Sequence, residues 1–409
     1  MEKKVSVCLI KTDNCEYIDK VIEGLEYNRE YISEVIYTGS IDELPETELD
    51  IKSLNIESDN RAFLRNQALK EAKEELVFWC STSTEIEDST LEEFLEVLEE
   101  TEDTDIVYPN IVNIAGDEEF VRNFDNWYTN KWAMIQGLYF EELFPEWGVL
   151  TKKGLFENQL FDENYKEYEF YQFVFKNLEN LNLSLSDLSF VNQYETDSFI
   201  DTSFASKIIR DFIVNKYPIQ KVFPNLNWGE NESLAYSTAY TMIGDALAKY
   251  YDFYNASDYY RKALISFHNK HTLRNLINVY MNMGLFNNLK QLLTKDQGFS
   301  EEEIENIKRD VQNIENLIKE LERKVEEGFI DEVMYSLNDV IQVYQGAPVY
   351  NIAGVISFYK GDLLNSYRFF YKATTINPLE EDILRNLTDV AKQIGKKEDV
   401  IALVKRLLD

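Results

Sequence analysis

The chain has 409 residues, 74 acidic against 41 basic, a formal charge of −33, and is 44% hydrophobic and 14% aromatic. That composition fills packed cores for two or three domains and excludes wholesale disorder, while the charge repels polyphosphate and argues against nucleic acid and anionic membranes as partners. Cys8, Cys15 and Cys80 lack metal-ligand spacing, the first apolar run is too short for a signal peptide, and no run nears ~20 apolar residues, so the expectation is a cytoplasmic protein without membrane insertion.

In chain order, residues 5–10 (Val-Ser-Val-Cys-Leu-Ile) form a continuous apolar strand of the kind buried on both faces of a parallel sheet. Lys11-Thr12-Asp13-Asn14 is a polar loop, and apolar residues at helical spacing run from Tyr17 to Leu25. A second strand over 32–37 ends in Thr38-Gly39-Ser40-Ile41-Asp42. This alternation predicts a parallel-rich sheet with its ligand crevice at the carboxyl ends of the strands. A helix carrying Arg65-Asn66 follows, then an apolar strand ending Trp79-Cys80-Ser81-Thr82-Ser83-Thr84, with Cys80 expected near the strand end and facing the crevice. An acidic turn (Glu85, Glu87, Asp88) leads into a helix at Leu91. A strand at 105–108 precedes an aromatic group of Phe124, Trp127, Tyr128 and Trp132, which reads as core more readily than as the floor of a sugar site. The α/β part closes with Trp147-Gly-Val-Leu-Thr-Lys-Lys-Gly-Leu-Phe, Phe161-Asp162-Glu163 and Glu167-Tyr168-Glu169.

These motifs, over residues 1 to about 200, resemble the family 2 glycosyltransferases, whose GT-A fold binds a nucleotide-sugar where the strands end. The resemblance implies donor contacts from Thr12 and Asn14, from Gly39, Ser40 and Asp42, from Arg65, and from Ser81 and Ser83. It implies an acceptor base among Glu163, Glu167 and Glu169. Three positions depart from the pattern. Tyr37 or Thr38 stands where an Asp would contact the base, Ser81-Thr82-Ser83 replaces the metal-binding Asp-x-Asp, and the acidic pair is blurred into Glu167-Tyr168-Glu169.

Neutral hydroxyls do not replace carboxylates as ligands for a hard cation, so no metal or other cofactor is expected, although Mn²⁺ or Mg²⁺ is what the family pattern would use. Glu85, Glu87 and Asp88 fall in the turn leading away. Lys11, Arg61 or Arg65 offers a cationic substitute at a diphosphate. The two histidines, His268 and His271, lie outside this region.

Residues 201–233, broken by Pro218, Pro224 and Gly229, read as a connector. Beyond it Gly244, Ala256, Tyr260 and Ala263 share their separations with Gly354, Ser366, Phe370 and Ala373, and Pro378 closes the second copy. This is the tetratricopeptide pattern, and it predicts an all-α solenoid over 234–409. Ile304, Ile307, Val311, Ile314, Ile318, Leu321 and Val325 make a heptad seam on a long helix over 300–327 that packs within the chain or against a second copy. Two functions follow from the resemblance. In one, sugar is transferred from a nucleotide-sugar to a protein, peptide or glycan that the repeats present. In the other, an inactive transferase fold serves as a protein-binding scaffold or regulatory subunit.

Overall fold

A computed structural model describes residues 4–12, 15–131, 133–134, 144–195, 200–293 and 298–409. The chain divides into an α/β unit, Met1–Phe204 with Asn215–Tyr217, and a helical unit, Ala205–Val214 with Pro218–Asp409.

The six-residue apolar runs become central strands. β1 (Val5–Ile10) and β4 (Leu76–Ser81) are buried at every position. With β2 (Ile32–Tyr37) and β3 (Ile51–Ser53) they form a four-stranded parallel stretch of a nine-stranded sheet. The remaining strands are β5 (Thr84–Ile86), β6 (Ile106–Ala115), β7 (Glu118–Arg122), β8 (Val149–Lys152) and β9 (Leu183–Tyr194). The order is β3-β2-β1-β4-β8-β6-β9-β5, with β7 beside β6. β8 runs antiparallel to β4, while β6 and β9 are parallel. β5 leaves β4 after only two residues and pairs with β9 at the far end of that order, so the sheet is curled. The chain visits β2 and β3 on one side of β1 and then β4 on the other. Such a reversal is where open α/β sheets bind ligands, which points to the carboxyl ends of β1 and β4.

Helices α1 (Ile18–Tyr27) and α3 (Thr90–Glu100) bury apolar faces against one side of the sheet. Asn60 starts α2 (Arg61–Glu71) by accepting the Phe63 N–H at 3.0 Å. α4 (Glu169–Asn177) begins after Tyr168, held at φ 57°. Phe124 and Trp127 are buried, as the core reading requires, and Trp132 lies outside the described residues.

In the helical unit the principal helices are α5 (Glu232–Lys249), α6 (Phe253–Ser266), α7 (Lys270–Asn282), α8 (Phe286–Leu292), α9 (Glu301–Glu326), α10 (Ile330–Val343), α11 (Ala347–Tyr359), α12 (Leu363–Ile376), α13 (Glu381–Gln393) and α14 (Lys397–Leu408). Gly244 lies under the Tyr260 ring, where an added Cβ would come within 2.6 Å, and Gly354 lies under Phe370 in the same way, at 2.5 Å. Ala256, Ala263, Ser366 and Ala373 are fully buried, and Ser366 Oγ donates to the Gly354 carbonyl at 2.8 Å. All seven seam residues of α9 pack inside the chain. Val311, with Ile304 and Ile307, meets Leu273 and Leu289, whereas Ile318 and Leu321, with Ile314 and Val325, meet Val333 and Ile352. The array curls until distant helices meet. Tyr344 donates to the Met281 carbonyl at 2.7 Å, Asn377 to Met283 at 2.9 Å, and Asn255 to Leu407 at 2.9 Å. Among the described residues no helix is long and apolar enough to cross a membrane.

Candidate functional site

The polar segments that follow β1 and β2 are tied together by short hydrogen bonds. Thr12 N–H reaches Thr82 Oγ1 at 3.1 Å and the two threonine hydroxyls lie 2.7 Å apart, joining the ends of β1 and β4. Lys11 N–H donates to Thr38 Oγ1 at 2.8 Å, and Lys11 Nζ pairs with Glu43. Tyr37 OH donates to the same carboxylate at 2.7 Å and the Ser40 N–H at 3.3 Å. Together these donors hold the Glu43 carboxyl below its ordinary range. Gly39 is buried between the Tyr37 hydroxyl and Glu43, and its carbonyl accepts from Ser53 Oγ at 2.6 Å. Ser40 accepts the Asp42 N–H at 3.4 Å, and Asp42 itself is exposed. Asn14 lies outside the described residues.

At the end of β4 the serines and threonines bind one another. Ser81 Oγ lies 3.1 Å from Ser83 Oγ and 2.6 Å from Thr84 Oγ1. Gln193 of β9 closes the knot, donating to Ser83 Oγ at 2.9 Å and accepting from Thr84 Oγ1 at 2.9 Å. Ser81 and Thr84 are fully buried and Ser83 nearly so. The donor set is therefore neutral and internally satisfied, and it does not fit a divalent cation. Glu85 takes hydrogen bonds from Tyr194 OH and, at 3.1 Å, from Asn192 Nδ2; Glu87 and Asp88 are exposed. Among the described residues no group of three His, Cys, Asp or Glu side chains could hold a metal ion. Cys80 corrects one expectation. It sits next to the end of β4, but its side chain belongs to the hydrophobic core, where burial raises the thiol pKa. Strand alternation turns Ser81 to the opposite face.

The third part of the site joins α2, the approach to β8 and the start of α4. Arg65 is fully buried. Its Nε donates to Glu169 Oε1 at 2.6 Å, its Nη2 to the Glu146 carbonyl at 2.9 Å, and its guanidinium lies 3.9 Å from the centre of the Trp147 ring. Trp79, Phe161 and Phe170 complete an aromatic cage within 5.5 Å. Gly148, at φ +70° and with no room for a Cβ beside Val191, takes the chain from Trp147 into β8. Asn66, also buried, exchanges two hydrogen bonds with the Phe161 backbone and donates to Glu163 Oε1 at 3.0 Å. Glu163 is exposed.

Glu167 is only partly buried and accepts the Asp201 N–H at 2.7 Å. Burial pushes its carboxyl up to about 7, helped by the charges of Asp201 and Glu169 and opposed by Arg61. Arg61 lies 3.7 Å from the Glu146 carboxylate. The three acids named in the sequence thus have three different surroundings. Glu163 braces a loop at the surface, Glu169 is ion-paired with Arg65 in the core, and Glu167 stands between. Arg65 and Glu169, expected to serve donor and acceptor separately, are bonded to each other.

Glu43, Trp147 and Gln193 were not singled out for the site by sequence. Glu43 carries one signal, a carboxylate three residues after Ser40 in capping-box spacing. Gln193 carries none, because its position opposite Ser83 depends on the β5–β9 pairing.

No protein-family model matches the sequence, and no curated protein matches it. Among solved structures the chain is similar to S. aureus TarS 1-349 in complex with UDP, at 15% identity and a TM-score of 0.42, over 67% of this chain and 89% of that one. It is similar to the same protein in complex with UDP-GlcNAc at 16% identity and a TM-score of 0.42, over 77% and 92% of the two chains. S. aureus TarS gives 17% identity and a TM-score of 0.41 over 76% of this chain and 55% of that chain. Likenesses this distant assign neither family nor activity.

Proposed function

We propose that residues 1–200 form a glycosyltransferase-like domain of the GT-A, family 2 type that takes a nucleotide-sugar without a divalent cation at the end of β4, with Glu167 as the acceptor base. The observation that carries this reading is the surroundings of Glu167: Glu163 stands at the surface and Glu169 is wholly buried against Arg65, whereas Glu167 is partly exposed and burial raises its carboxyl to about 7, where a general base works best. In transfer, the acceptor hydroxyl gives its proton to the Glu167 carboxylate, its oxygen bonds to the anomeric carbon, and the bond from that carbon to the nucleoside diphosphate breaks. The leaving diphosphate meets the partly exposed hydroxyls of Thr12 and Ser40 in the polar wall. Lys11 lies in that wall, although Glu43 already holds its charge.

The helical region, residues 234–409, is proposed as a tetratricopeptide-type domain that binds a protein or peptide. The repeated glycine-under-aromatic packing supports it. The buried thiols of Cys8 and Cys80 support a reducing, cytoplasmic setting.

One observation favours the second reading, an inactive fold kept as a scaffold: the hydroxyl knot at Ser81, Ser83, Thr84 and Gln193 supplies no anionic metal ligand. Titration with UDP-, GDP- and dTDP-sugars, with and without EDTA, separates the two. The transferase reading expects binding that EDTA leaves unchanged and sugar release that Glu167→Gln abolishes. Absence of binding to any of these donors supports the scaffold.

A further inference from the structure

We infer that Arg65 is a positioning residue rather than a ligand of the donor diphosphate: its buried pair with Glu169 anchors the first residue of α4 and so keeps Glu167 outside the core. This rests on reading Glu167 as the base.

The geometry runs through three consecutive residues. Glu169 opens α4 with its carboxylate 2.6 Å from Arg65 Nε and no exposed surface. Tyr168 reverses the backbone in the left-handed region, an uncommon conformation for a large side chain. Glu167 therefore leaves the cage on the far side of that reversal, where it meets the Asp201 N–H. Charged groups facing it are Arg61 from α2, Asp201 from the segment before Ser203, and Glu169 from α4. Arg65 is in turn fixed by the Glu146 carbonyl and the Trp147 ring. A guanidinium enclosed by four rings and one carboxylate has no solvent-facing edge for a phosphate. Arg65 Nη1 and Glu169 Oε2 make no further hydrogen bond, so the 2.6 Å Nε–Oε1 contact is the one hydrogen bond between the two side chains.

The test replaces the pair by apolar residues of similar size, Arg65→Met with Glu169→Leu, because removing both charges of a buried pair is often tolerated where removing one is not. Carbon-13 NMR of labelled glutamate carboxyls, with Glu167 assigned by Glu167→Gln, follows the titration whether or not a donor is turned over. The inference expects a folded double variant in which the Glu167 midpoint rises, because losing the fixed chain reversal lets the carboxyl into the core and burial is the main cause of its raised value; loss of the Glu169 charge alone, a smaller cause, would lower it. Affinity for UDP should stay within about twofold. A folded double variant with the parent's Glu167 titration, or with a midpoint lowered as loss of the Glu169 charge alone would lower it, reduces the pair to a structural contact and overturns the inference. So does a tenfold or larger loss of UDP affinity with that titration unchanged, since Arg65 is then a phosphate ligand. Retained sugar transfer in Glu167→Gln would instead sink the base assignment, a separate outcome that the NMR titration does not share.

Discussion

Glu167 and Glu169 differ in their surroundings by more than their spacing suggests, and pH should expose it. With its folded carboxyl raised to about 7 from an ordinary 4.5, Glu167 keeps a proton in the native state that the unfolded chain has already released. Stability contributed by this group is therefore present below about 4.5 and lost as pH climbs through about 7. Glu167→Gln removes that dependence. Its melting temperature should gain on the parent between pH 5 and 7.5, and parallel curves would show that Glu167 titrates normally. A second residue-scale test concerns the repeat frame. Gly354→Ala places a methyl 2.5 Å from the Phe370 ring, and Ala263→Leu adds three carbons at a site with no exposed surface. Each should cost about 1–3 kcal/mol by overpacking, read from chemical denaturation.

Among elements, the turn from β4 to β5 tests the metal question by construction. Ser81→Asp with Ser83→Asp puts two carboxylates where the hydroxyls lie 3.1 Å apart in nearly complete burial. Two like charges so close repel and are poorly solvated, so the variant should melt below the parent in EDTA. Mn²⁺ should restore the loss and bring cation-dependent nucleotide binding. A variant as stable as the parent in EDTA would mean that the turn opens to solvent. The α9 seam is the second element to probe. Ile318→Ala should destabilise the helical unit by about 2–5 kcal/mol, because it empties a packed internal cluster. The mass in solution should not change, since the seam is already covered from within the chain; dissociation of an oligomer on this substitution would show that it also serves a second copy.

For the whole molecule, separate cores predict separate responses. The sheet cluster draws only on residues of the α/β unit, and the α9 clusters only on the helical unit. A ligand held only by the native α/β unit stabilises it by about 2.7 kcal/mol at a hundredfold excess over Kd. For a unit of ~200 residues that is a rise of roughly 5–10 °C. Calorimetry with a bound nucleotide-sugar should move one transition by this amount and leave the other in place. Equal movement of both would mean that the units unfold as one.

The amino-acid order alone determined the elements whose chemistry is local. Six-residue apolar runs bounded by polar turns are too short for a core helix and read as central strands, so β1 and β4 were legible, as was the alternation that makes the sheet parallel-rich. The glycine-to-aromatic spacing of the repeats survives into the structure because it encodes one helix crossing, 16 residues from Gly244 to Tyr260 and again from Gly354 to Phe370. The partners of the charged residues were not legible. Whether Arg65 meets a phosphate or Glu169 is decided across 104 residues, and whether Ser83 meets a cation or Gln193 across 110. A heptad pattern likewise states that a seam must be covered without saying by what, and tertiary packing chose α7, α8, α10 and α11. The physical reason is common to all three. Hydrophobic periodicity acts over neighbouring turns of one element, while a buried charge or an apolar stripe is satisfied by whatever the fold brings within contact distance.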